Sequence, residues 1–317
     1  MKNCEEYIYA GIPTFMGGDY ILPENSQGYD VVFLGVPIDF GASFRLGAKY
    51  APRMIREYSF WDRVDGLEYY DFDSGTSIKS NNLRIADAGD VNICPTDPVR
   101  NSQEVISSVT KIRENSLPLV MGGDHSILYP SFIGCTKGID KKNDLFLIYF
   151  DAHLDVEKDY ITMPDLWHGN VVRKLIEDGF VKPENVYCIG VRGIVNKEWF
   201  EYARNKKINV FSSRDVKGIG MAALMRDILK VIKRVNGSVY ISFDIDCIDA
   251  SQVSGTGTPK HDGLSMVDAL EAVKSLDQVK VIGFDMVEIN PKFDQAGQTA
   301  ISGCEILFNF LAFGYKK

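Results

Sequence analysis

Eight short apolar runs occur along the chain and predict the strands of a buried sheet. The run Leu145–Phe150 (LFLIYF) carries no charge, as is typical of a strand covered on both faces. The other runs predict strands at 30–36, 83–86, 117–121, 186–190, 208–211, 239–243 and 279–284. Helices are predicted between them, at 52–59, 98–114, 169–178, 221–234, after Ser265 and at the C-terminal end. Strands that alternate with helices indicate a parallel sheet with helices on both faces.

The predicted elements form a single α/β domain of three layers, an eight-stranded parallel sheet flanked by helices, over residues 1–317. No low-complexity linker divides the chain, and no internal repeat is present. Residues 1–29 are rich in aromatic residues and glycine without a clear period, and they predict an N-terminal arm packed on the domain. The polar segment 60–82 supports no assignment.

The composition is that of an ordinary globular protein, and it excludes two classes of partner. A formal net charge of −8 leaves no basic face for general nucleic-acid binding, so no nucleic-acid partner is expected. No apolar stretch approaches the roughly 18 residues of a membrane span, so no membrane partner is expected. The six cysteines are scattered without a CxxC pair, and the N-terminus lacks signal-peptide features; both favour a cytoplasmic protein with reduced thiols.

Polar residues follow the predicted strand Leu145–Phe150 directly, where the strand ends. If the extended backbone continues, the side chains of Asp151, His153 and Asp155 point the same way and converge. Two carboxylates so close repel each other unless a cation lies between them. The DAHLD stretch therefore indicates a metal site.

Two further strand ends supply similar side chains. The strand at 239–243 is followed by Asp244 and Asp246, and the strand at 117–121 by two glycines, Asp124 and His125. Parallel sheets bind ligands at the carboxyl ends of their strands, so these groups are expected to meet. Several carboxylates with two imidazoles and no thiolate favour a hard ion such as Mn²⁺ over structural zinc.

The motifs GGDHS, DAHLD and SFDID, in this order, resemble those of the ureohydrolase family, which includes arginase and agmatinase. They occupy residues 122–126, 151–155 and 242–246. Two more stretches, GTGTP at 255–259 and EINP at 288–291, are similar to further family signatures. The resemblance covers about residues 30–310, and it implies the arginase-like fold and two Mn²⁺ ions per chain.

The resemblance also implies a ligand set for the two ions. One ion would be bound by His125, Asp151, Asp155 and Asp244, and the other by His153, Asp151, Asp244 and Asp246. Asp151 and Asp244 would then bridge the ions. Asp124 lies inside the first motif but is expected to hydrogen-bond near the site rather than to bind metal.

Two residues outside the ligand set match catalytic positions of the family. His168, in the stretch HGN, resembles the family's proton-shuttling histidine. Glu288 matches the glutamate that binds the substrate's guanidinium, a planar cation suited to carboxylate pairing. His261 lies in KHDG, where the family usually has two glycines, and is expected to be an exposed loop residue.

The reaction that the resemblance implies is hydrolysis of a linear guanidino compound to urea and an amine. Two metal ions about 3.5–4 Å apart can share a water and lower its pKa towards neutrality. The resulting hydroxide would attack the guanidinium carbon, with Asp155 orienting the nucleophile and Glu288 holding the substrate. His168 would then protonate the leaving amine.

The loop after DAHLD favours one guanidino compound over others. It contains Glu157, Asp159 and Asp165, which would repel a carboxylate and attract a second amine. Arginases have an asparagine and serine pattern in this loop, and an aspartate where this chain has Gly193. These differences count against arginine and favour agmatine, which carries a guanidinium at one end and an ammonium at the other. Its products would be urea and putrescine.

Several alternatives stay open. Guanidinobutyrate, arginine and formiminoglutamate are alternative substrates, because the loop departs from the usual agmatinase spelling and its acids can equally form a solvated face. A non-catalytic polyamine-binding relative is a further alternative, although the presumed ligands, His168 and Glu288 are all intact. Single-metal zinc deacetylase relatives are disfavoured by the paired aspartate motifs. The resemblance alone implies a homotrimer or homohexamer.

Overall fold

The apolar runs form strands in the computed structural model, which describes residues 11–60, 68–72, 75–79, 83–139, 145–158 and 165–316. The strands of this part are β1 (Asp19–Tyr20), β2 (Val31–Val36), β3 (Glu68–Asp71), β4 (Thr76–Lys79), β5 (Ile85–Asp90), β6 (Leu117–Gly122), β7 (Leu145–Phe150), β8 (Val186–Val191), β9 (Asn209–Ser212), β10 (Ser238–Asp244) and β11 (Lys280–Val287). Nine of them form a parallel sheet in the order β1-β5-β2-β6-β11-β10-β7-β8-β9. β3 and β4 form a separate antiparallel pair.

Helices cover both faces of this sheet. They are α1 (Ala51–Ser59), α2 (Pro98–Arg113), α3 (Leu128–Thr136), α4 (Val171–Glu177), α5 (Lys197–Lys206), α6 (Ser213–Ile219), α7 (Met221–Arg234), α8 (Met266–Lys274) and α9 (Gln298–Asn309). The alternating residues of β2 enter two different hydrophobic cores, Val31 and Phe33 one of them and Val32 and Leu34 the other. The predicted three-layer α/β domain is therefore confirmed. Among the described helices, none has the length and apolar character needed to cross a bilayer.

The sheet has nine strands instead of the predicted eight. The additional strand is β1, two exposed residues of the N-terminal arm that pair with β5. So short and exposed a strand leaves no apolar run in the sequence. The arm also packs on the domain through Phe15 and Met16, which are buried. Its first ten residues lie outside the described part of the chain.

The helices that the sequence predicted and those that it missed differ in their pattern. α7 begins and ends at the predicted residues, because its buried residues recur at helical spacing and form one apolar face. α8 begins with the predicted capping box, in which Ser265 and Asp268 exchange side-chain-to-backbone hydrogen bonds. α3, α5 and α6 were not predicted; α3 is apolar on most sides, and α6 has only seven residues.

Candidate metal centre

Four neighbouring strands at the centre of the sheet carry the predicted site residues. These strands lie in the order β6, β11, β10 and β7. His125 lies just beyond β6, Glu288 follows β11, Asp244 ends β10, and Asp151 follows β7. Because the strands are parallel, the four side chains meet at the carboxyl ends of these strands. The sequence predicted this meeting for the residues at the ends of β6, β10 and β7.

The first cluster of side chains surrounds one ring nitrogen of His125. Its Nδ1 lies 3.0 Å from Asp151 Oδ2, 2.9 Å from Asp155 Oδ2 and 3.3 Å from Asp244 Oδ2. Within the described part of the chain, neither this Nδ1 nor Asp151 Oδ2 forms a hydrogen bond, although both are buried. Neighbouring ligands of an octahedral ion with bonds of about 2.1 Å lie about 3 Å apart. The donor atoms and their spacing therefore fit a hard divalent cation.

A second cluster shares Asp151 with the first. His153 Nδ1 lies 3.3 Å from Asp151 Oδ1 and 3.2 Å from Asp246 Oδ2. The two oxygens of Asp151 thus face different histidines, and Oδ1 also accepts the backbone N–H of His153 at 2.7 Å. Bridging by Asp151 stays a prediction. Asp244 belongs to the first cluster through Oδ2, while its Oδ1 accepts the backbone N–H of Asp246 at 2.8 Å. Bridging by Asp244 stays a prediction.

Burial and like charges strain the clusters in the absence of a cation. Burial, together with the charges of Asp246 and Asp151, raises the pKa of Asp244 well above its usual value. Burial and the charge of Asp151 likewise raise the pKa of Asp155 to about 6. Burial alone would lower the pKa of His125, but the three surrounding carboxylates raise it well above the usual value. Bound dications would supply the positive charge that these carboxylates lack.

The route by which Asp155 reaches the first cluster differs from the one expected. β7 ends at Phe150, so the expectation of a continued extended backbone through the DAHLD stretch is wrong. Asp155 has a φ of 50°, in the left-handed region, and its carbonyl accepts the N–H groups of Val172 and Arg173 at the start of α4. A turn held by these hydrogen bonds brings Asp155 back to His125. Such backbone strain is concentrated at functional sites.

A chain of buried hydrogen bonds fixes the ring of His125 from behind. Nε2 lies 2.9 Å from Ser242 Oγ, which donates to Asp285 Oδ1 at 2.6 Å. Tyr240 donates to the other oxygen of Asp285 at 2.7 Å. Because the hydroxyl proton of Ser242 goes to Asp285, its Oγ must accept the Nε2 proton of His125. This arrangement leaves the Nδ1 lone pair facing the carboxylates, as a metal ligand requires.

We expect Ser242→Ala to weaken metal binding while the fold is retained. The substitution removes the acceptor of the Nε2 proton, so the imidazole loses its fixed orientation, and loss of such a partner costs about tenfold to a hundredfold in metal affinity. Calorimetric titration with Mn²⁺ measures the change. Ser302→Ala in α9, where the hydroxyl donates within its own helix, is the matched control. Equal Mn²⁺ affinity of the two variants would contradict this role of Ser242.

His168 and Glu288 form a pair beside the clusters. His168 Nδ1 lies 3.0 Å from Glu288 Oε1, and the same oxygen accepts the backbone N–H of His125 at 3.0 Å. On the other side of the ring, Nε2 lies 2.8 Å from Ser43 Oγ. Burial lowers the pKa of His168, but the hydrogen bond and charge of Glu288 raise it to about 9. Glu288 itself is buried and has a φ of 64°.

The three loop acids do not lie together in the described part of the chain. Glu157 is half-buried beside Gly169, and burial and the charge of Asp155 raise its pKa to about 7. Asp165 is exposed and lines a cavity of about 300 Å³, whose other lining residues include Val99 of α2 and Ser126 beside His125. Asp159 lies outside the described residues. Substrate binding by these acids therefore stays a prediction.

Other residues near the site behave as the sequence suggested or were missed by it. Asp124 accepts the backbone N–H groups of Gly41 and Ser126 at 2.8 and 2.9 Å, in the hydrogen-bonding role predicted for it. His261 is exposed, as predicted. Ser242 and Asp285 were not recognised as supports of His125. Their signal was the alternation along β10, which places Ser242 and Asp244 on the same face.

Comparisons with known proteins agree with this geometry. A family model described as the arginase family matches residues 29–312. Guanidinopropionase of Pseudomonas aeruginosa is 31% identical, over 96% of this chain and 92% of that protein. The mitochondrial agmatinase of Gallus gallus is 32% identical, over 90% of this chain and 82% of that protein. The structure of proclavaminate amidino hydrolase from Streptomyces clavuligerus superposes with a TM-score of 0.85 and 29% identity, over 98% and 99% of the two chains.

Proposed function

This chain belongs to the arginase family and is an amidine C–N hydrolase, and we propose that it releases urea from a guanidino compound with two Mn²⁺ ions bound at the centre. The observation that carries the proposal is the shared carboxylate of Asp151, which faces His125 with one oxygen and His153 with the other. A single ion would leave one of these clusters without a cation. The remaining proposed ligands are Asp155, Asp244 and Asp246.

The proposed roles of the chain's own residues follow from their positions. Bound Mn²⁺ ions would lower the pKa of a shared water and so supply the nucleophile. Asp155 would orient that water; its Oδ2 lies 2.9 Å from His125 Nδ1, within the first cluster. Glu288 would hold the guanidinium beside the clusters. His168, held between Glu288 and Ser43, would donate a proton to the leaving amine.

Two classes of substrate are represented among the relatives. The similar proteins include agmatinases on one side and guanidinopropionase and guanidinobutyrase on the other. Agmatine, the prediction from the loop acids, requires those acids to meet an ammonium. In the described part of the chain, Glu157 is the loop acid close enough to the centre to feel the charges of His153 and His168. Agmatine therefore stays a candidate that only Glu157 supports.

We expect urea release from at least one guanidino compound, and we expect it to depend on Mn²⁺. The assay compares agmatine, arginine, guanidinobutyrate and guanidinopropionate, each with added Mn²⁺ and each with a chelator. Turnover that the chelator abolishes and Mn²⁺ restores would support the proposal. Binding of Mn²⁺ without urea from any of the four compounds would favour the alternative of a non-catalytic relative that binds polyamines.

A homotrimer or homohexamer and a cytoplasmic location are further proposals. The oligomer rests only on the family resemblance. The location rests on the sequence, in which the cysteines are scattered without a CxxC pair. Sedimentation of the Mn²⁺-loaded protein tests the oligomer directly.

A further inference from the structure

Lys260 places a positive charge beside the metal centre. The loop that carries it begins at the centre, where Thr258 donates to Asp246 Oδ2 at 3.0 Å. Two residues later, the side chain of Lys260 is half-buried, and Nζ donates to the carbonyl oxygen of Arg192 at 3.3 Å. Its ammonium is close enough to feel the charges of Asp246, Asp151 and Asp155. No carboxylate of the described residues lies within 4 Å of Nζ to form an ion pair with it.

The position of Lys260 relative to the metal ligands is fixed by Arg192. This buried guanidinium donates to the carbonyl oxygen of Asp246 at 2.8 Å and to that of Lys260 at 2.7 Å. It also donates to the carbonyl of His261 at 3.0 Å. The side chain of Arg192 therefore connects the backbone at Asp246 to the backbone at Lys260 by hydrogen bonds. A binding group held in this way loses little conformational freedom when it meets a ligand.

Gly193 leaves space for the side chain of Lys260. Its φ is 74°, and a Cβ added there would lie 4.0 Å from Cδ of Lys260. The aliphatic part of Lys260 thus lies beside a position that carries no side chain. No acid occupies that position to receive a positively charged end of a substrate. Lysine commonly packs its aliphatic stem along a surface in this way while its charge stays available.

Among the described residues, no carboxylate at the centre forms an ion pair with Lys260. Asp151, Asp155, Asp244 and Asp246 would be neutralised by two dications, and Glu288 by the guanidinium of the substrate. Burial lowers the pKa of Lys260 while the ligand carboxylates oppose that shift. A half-buried lysine is stabilised by an anionic partner. Glu157 is the remaining described acid close enough to interact with the charge of Lys260, but the two form no ion pair within 4 Å. The carboxylate of a bound substrate would complete this arrangement.

We propose that Lys260 binds a carboxylate at the end of the substrate opposite the guanidinium, so that the substrate is a guanidino acid rather than agmatine. The inference rests on the proposed function, because it takes the guanidinium to lie at the metal centre beside Glu288. An ammonium at the far end would meet Lys260 as a like charge. Glu157 lies on the side of Gly169 and His168, where it could meet the additional ammonium of an amino acid such as arginine.

Three compounds that differ mainly at the far end test the proposal. These are 4-guanidinobutanoate (the guanidinobutyrate named above), agmatine and butylguanidine, whose far ends are anionic, cationic and neutral. We expect the Mn²⁺-loaded wild-type protein to hydrolyse 4-guanidinobutanoate with a kcat/KM larger than that for agmatine by on the order of tenfold to a hundredfold. A kcat/KM for agmatine equal to or above that for the acid would overturn the proposal.

Substitutions at Lys260 separate charge recognition from support of the loop. We expect Lys260→Glu to reverse the preference in favour of agmatine, Lys260→Met to abolish it and Lys260→Arg to keep it. Each kcat/KM is divided by that of the same variant for butylguanidine, which has no far-end charge, so that any effect of the substitution on the metal centre itself cancels. Lys230→Glu is the matched control. Lys230 is exposed near the end of α7, the helix that leads into the amino-terminal end of β10, away from the metal centre at the carboxyl end of that strand.

The outcomes distinguish this inference from the proposed function. If butylguanidine is hydrolysed but Lys260→Glu leaves the ratio between acid and agmatine unchanged, Lys260 does not bind the far end and the metal centre stands. If neither these three compounds nor arginine and guanidinopropionate release urea with Mn²⁺ bound, the proposed function fails and the substrate assignment fails with it. Arginine, added as a fourth compound, reports whether a second charge at the far end is tolerated.

Discussion

Asp244→Asn should lower kcat/KM by at least about a thousandfold, equivalent to roughly 4 kcal/mol of transition-state stabilisation. Asp244 ends β10, and its Oδ2 lies 3.3 Å from His125 Nδ1, within the first cluster. An amide is a much weaker ligand for a hard cation than a carboxylate is, and the substitution also removes one negative charge from the centre. The measurement is urea release over a range of Mn²⁺ concentrations.

The same variant should respond differently from the wild type in thermal unfolding. A ligand that binds only the folded state stabilises it in proportion to the logarithm of its concentration over Kd, so Mn²⁺ should raise the Tm of the wild type. Asp244→Asn should lose most of that rise. Without metal, the raised pKa of Asp244 means that its ionised form costs stability once the pH exceeds the pKa of an unfolded aspartate. The metal-free variant should therefore be at least as stable as the metal-free wild type at neutral pH.

Asp227→Asn is the control for this pair of measurements. Asp227 is exposed on α7, and its Oδ1 lies 3.5 Å from Nε of the exposed Arg226. Because an exposed ion pair contributes little, the same chemical change there should affect neither turnover nor the Mn²⁺-dependent rise in Tm. If Asp244→Asn kept a wild-type rise in Tm and wild-type turnover, Asp244 would not be a ligand. A Tm of the metal-free variant below that of the metal-free wild type would show that the carboxylate stabilises the fold itself.

The centre could be predicted because its information is local. The predicted ligands stand in stretches that directly follow apolar runs, and parallel sheets bind ligands at the carboxyl ends of their buried strands. Asp155 lies beside His125 although the extended backbone from which its position was predicted is wrong. The motif match, which does not depend on the backbone path, had grouped the same two residues. The identity of the donors also limits the metal, since carboxylates and imidazoles without thiolates select hard ions.

The supports of the centre depend on which strands are neighbours, and the sequence does not specify this. Ser242 lies opposite Asp285 because β10 pairs with β11 in that register. The two residues are far apart along the chain, and neither stands within an apolar-to-polar transition that would single it out. Strand order was equally inaccessible for β1, whose two residues join the sheet only because the arm folds back along β5.

The far end of the substrate site depends on loops, where charge alone does not indicate direction. Asp165 was grouped with Glu157 by its position in the sequence, yet it is exposed beside α2. No motif in the sequence indicates Lys260 as a site residue. Its position near Asp246 is determined by the hydrogen bonds that Arg192 donates to both backbones. The prediction of agmatine rested on the acids of the loop after DAHLD and did not include the positive charge of Lys260.

Glu288→Gln should reduce kcat/KM by about a hundredfold to a thousandfold while Mn²⁺ binding is retained. The substitution keeps an oxygen that can accept the N–H of His125, but it removes the charge that would pair with a guanidinium. The loss should therefore appear in urea release and not in calorimetric titration with Mn²⁺. Glu305→Gln, at an exposed position of α9, is the control and should match the wild type. A variant that fails to bind Mn²⁺ would show that Glu288 instead supports the metal ligands.

The pH profile of Glu288→Gln distinguishes the proton donor from the guanidinium ligand. The groups that raise the pKa of His168 against burial are Glu288, first, and then the charges of Asp155 and Asp124. Removing the charge of Glu288 leaves burial with less opposition, so the pKa of His168 should fall. If protonated His168 donates to the leaving amine, activity is lost where the ring deprotonates, and the alkaline limb of kcat should move to lower pH. An unchanged alkaline limb, with kcat/KM reduced, would leave the binding role of Glu288 intact and exclude His168 as the donor.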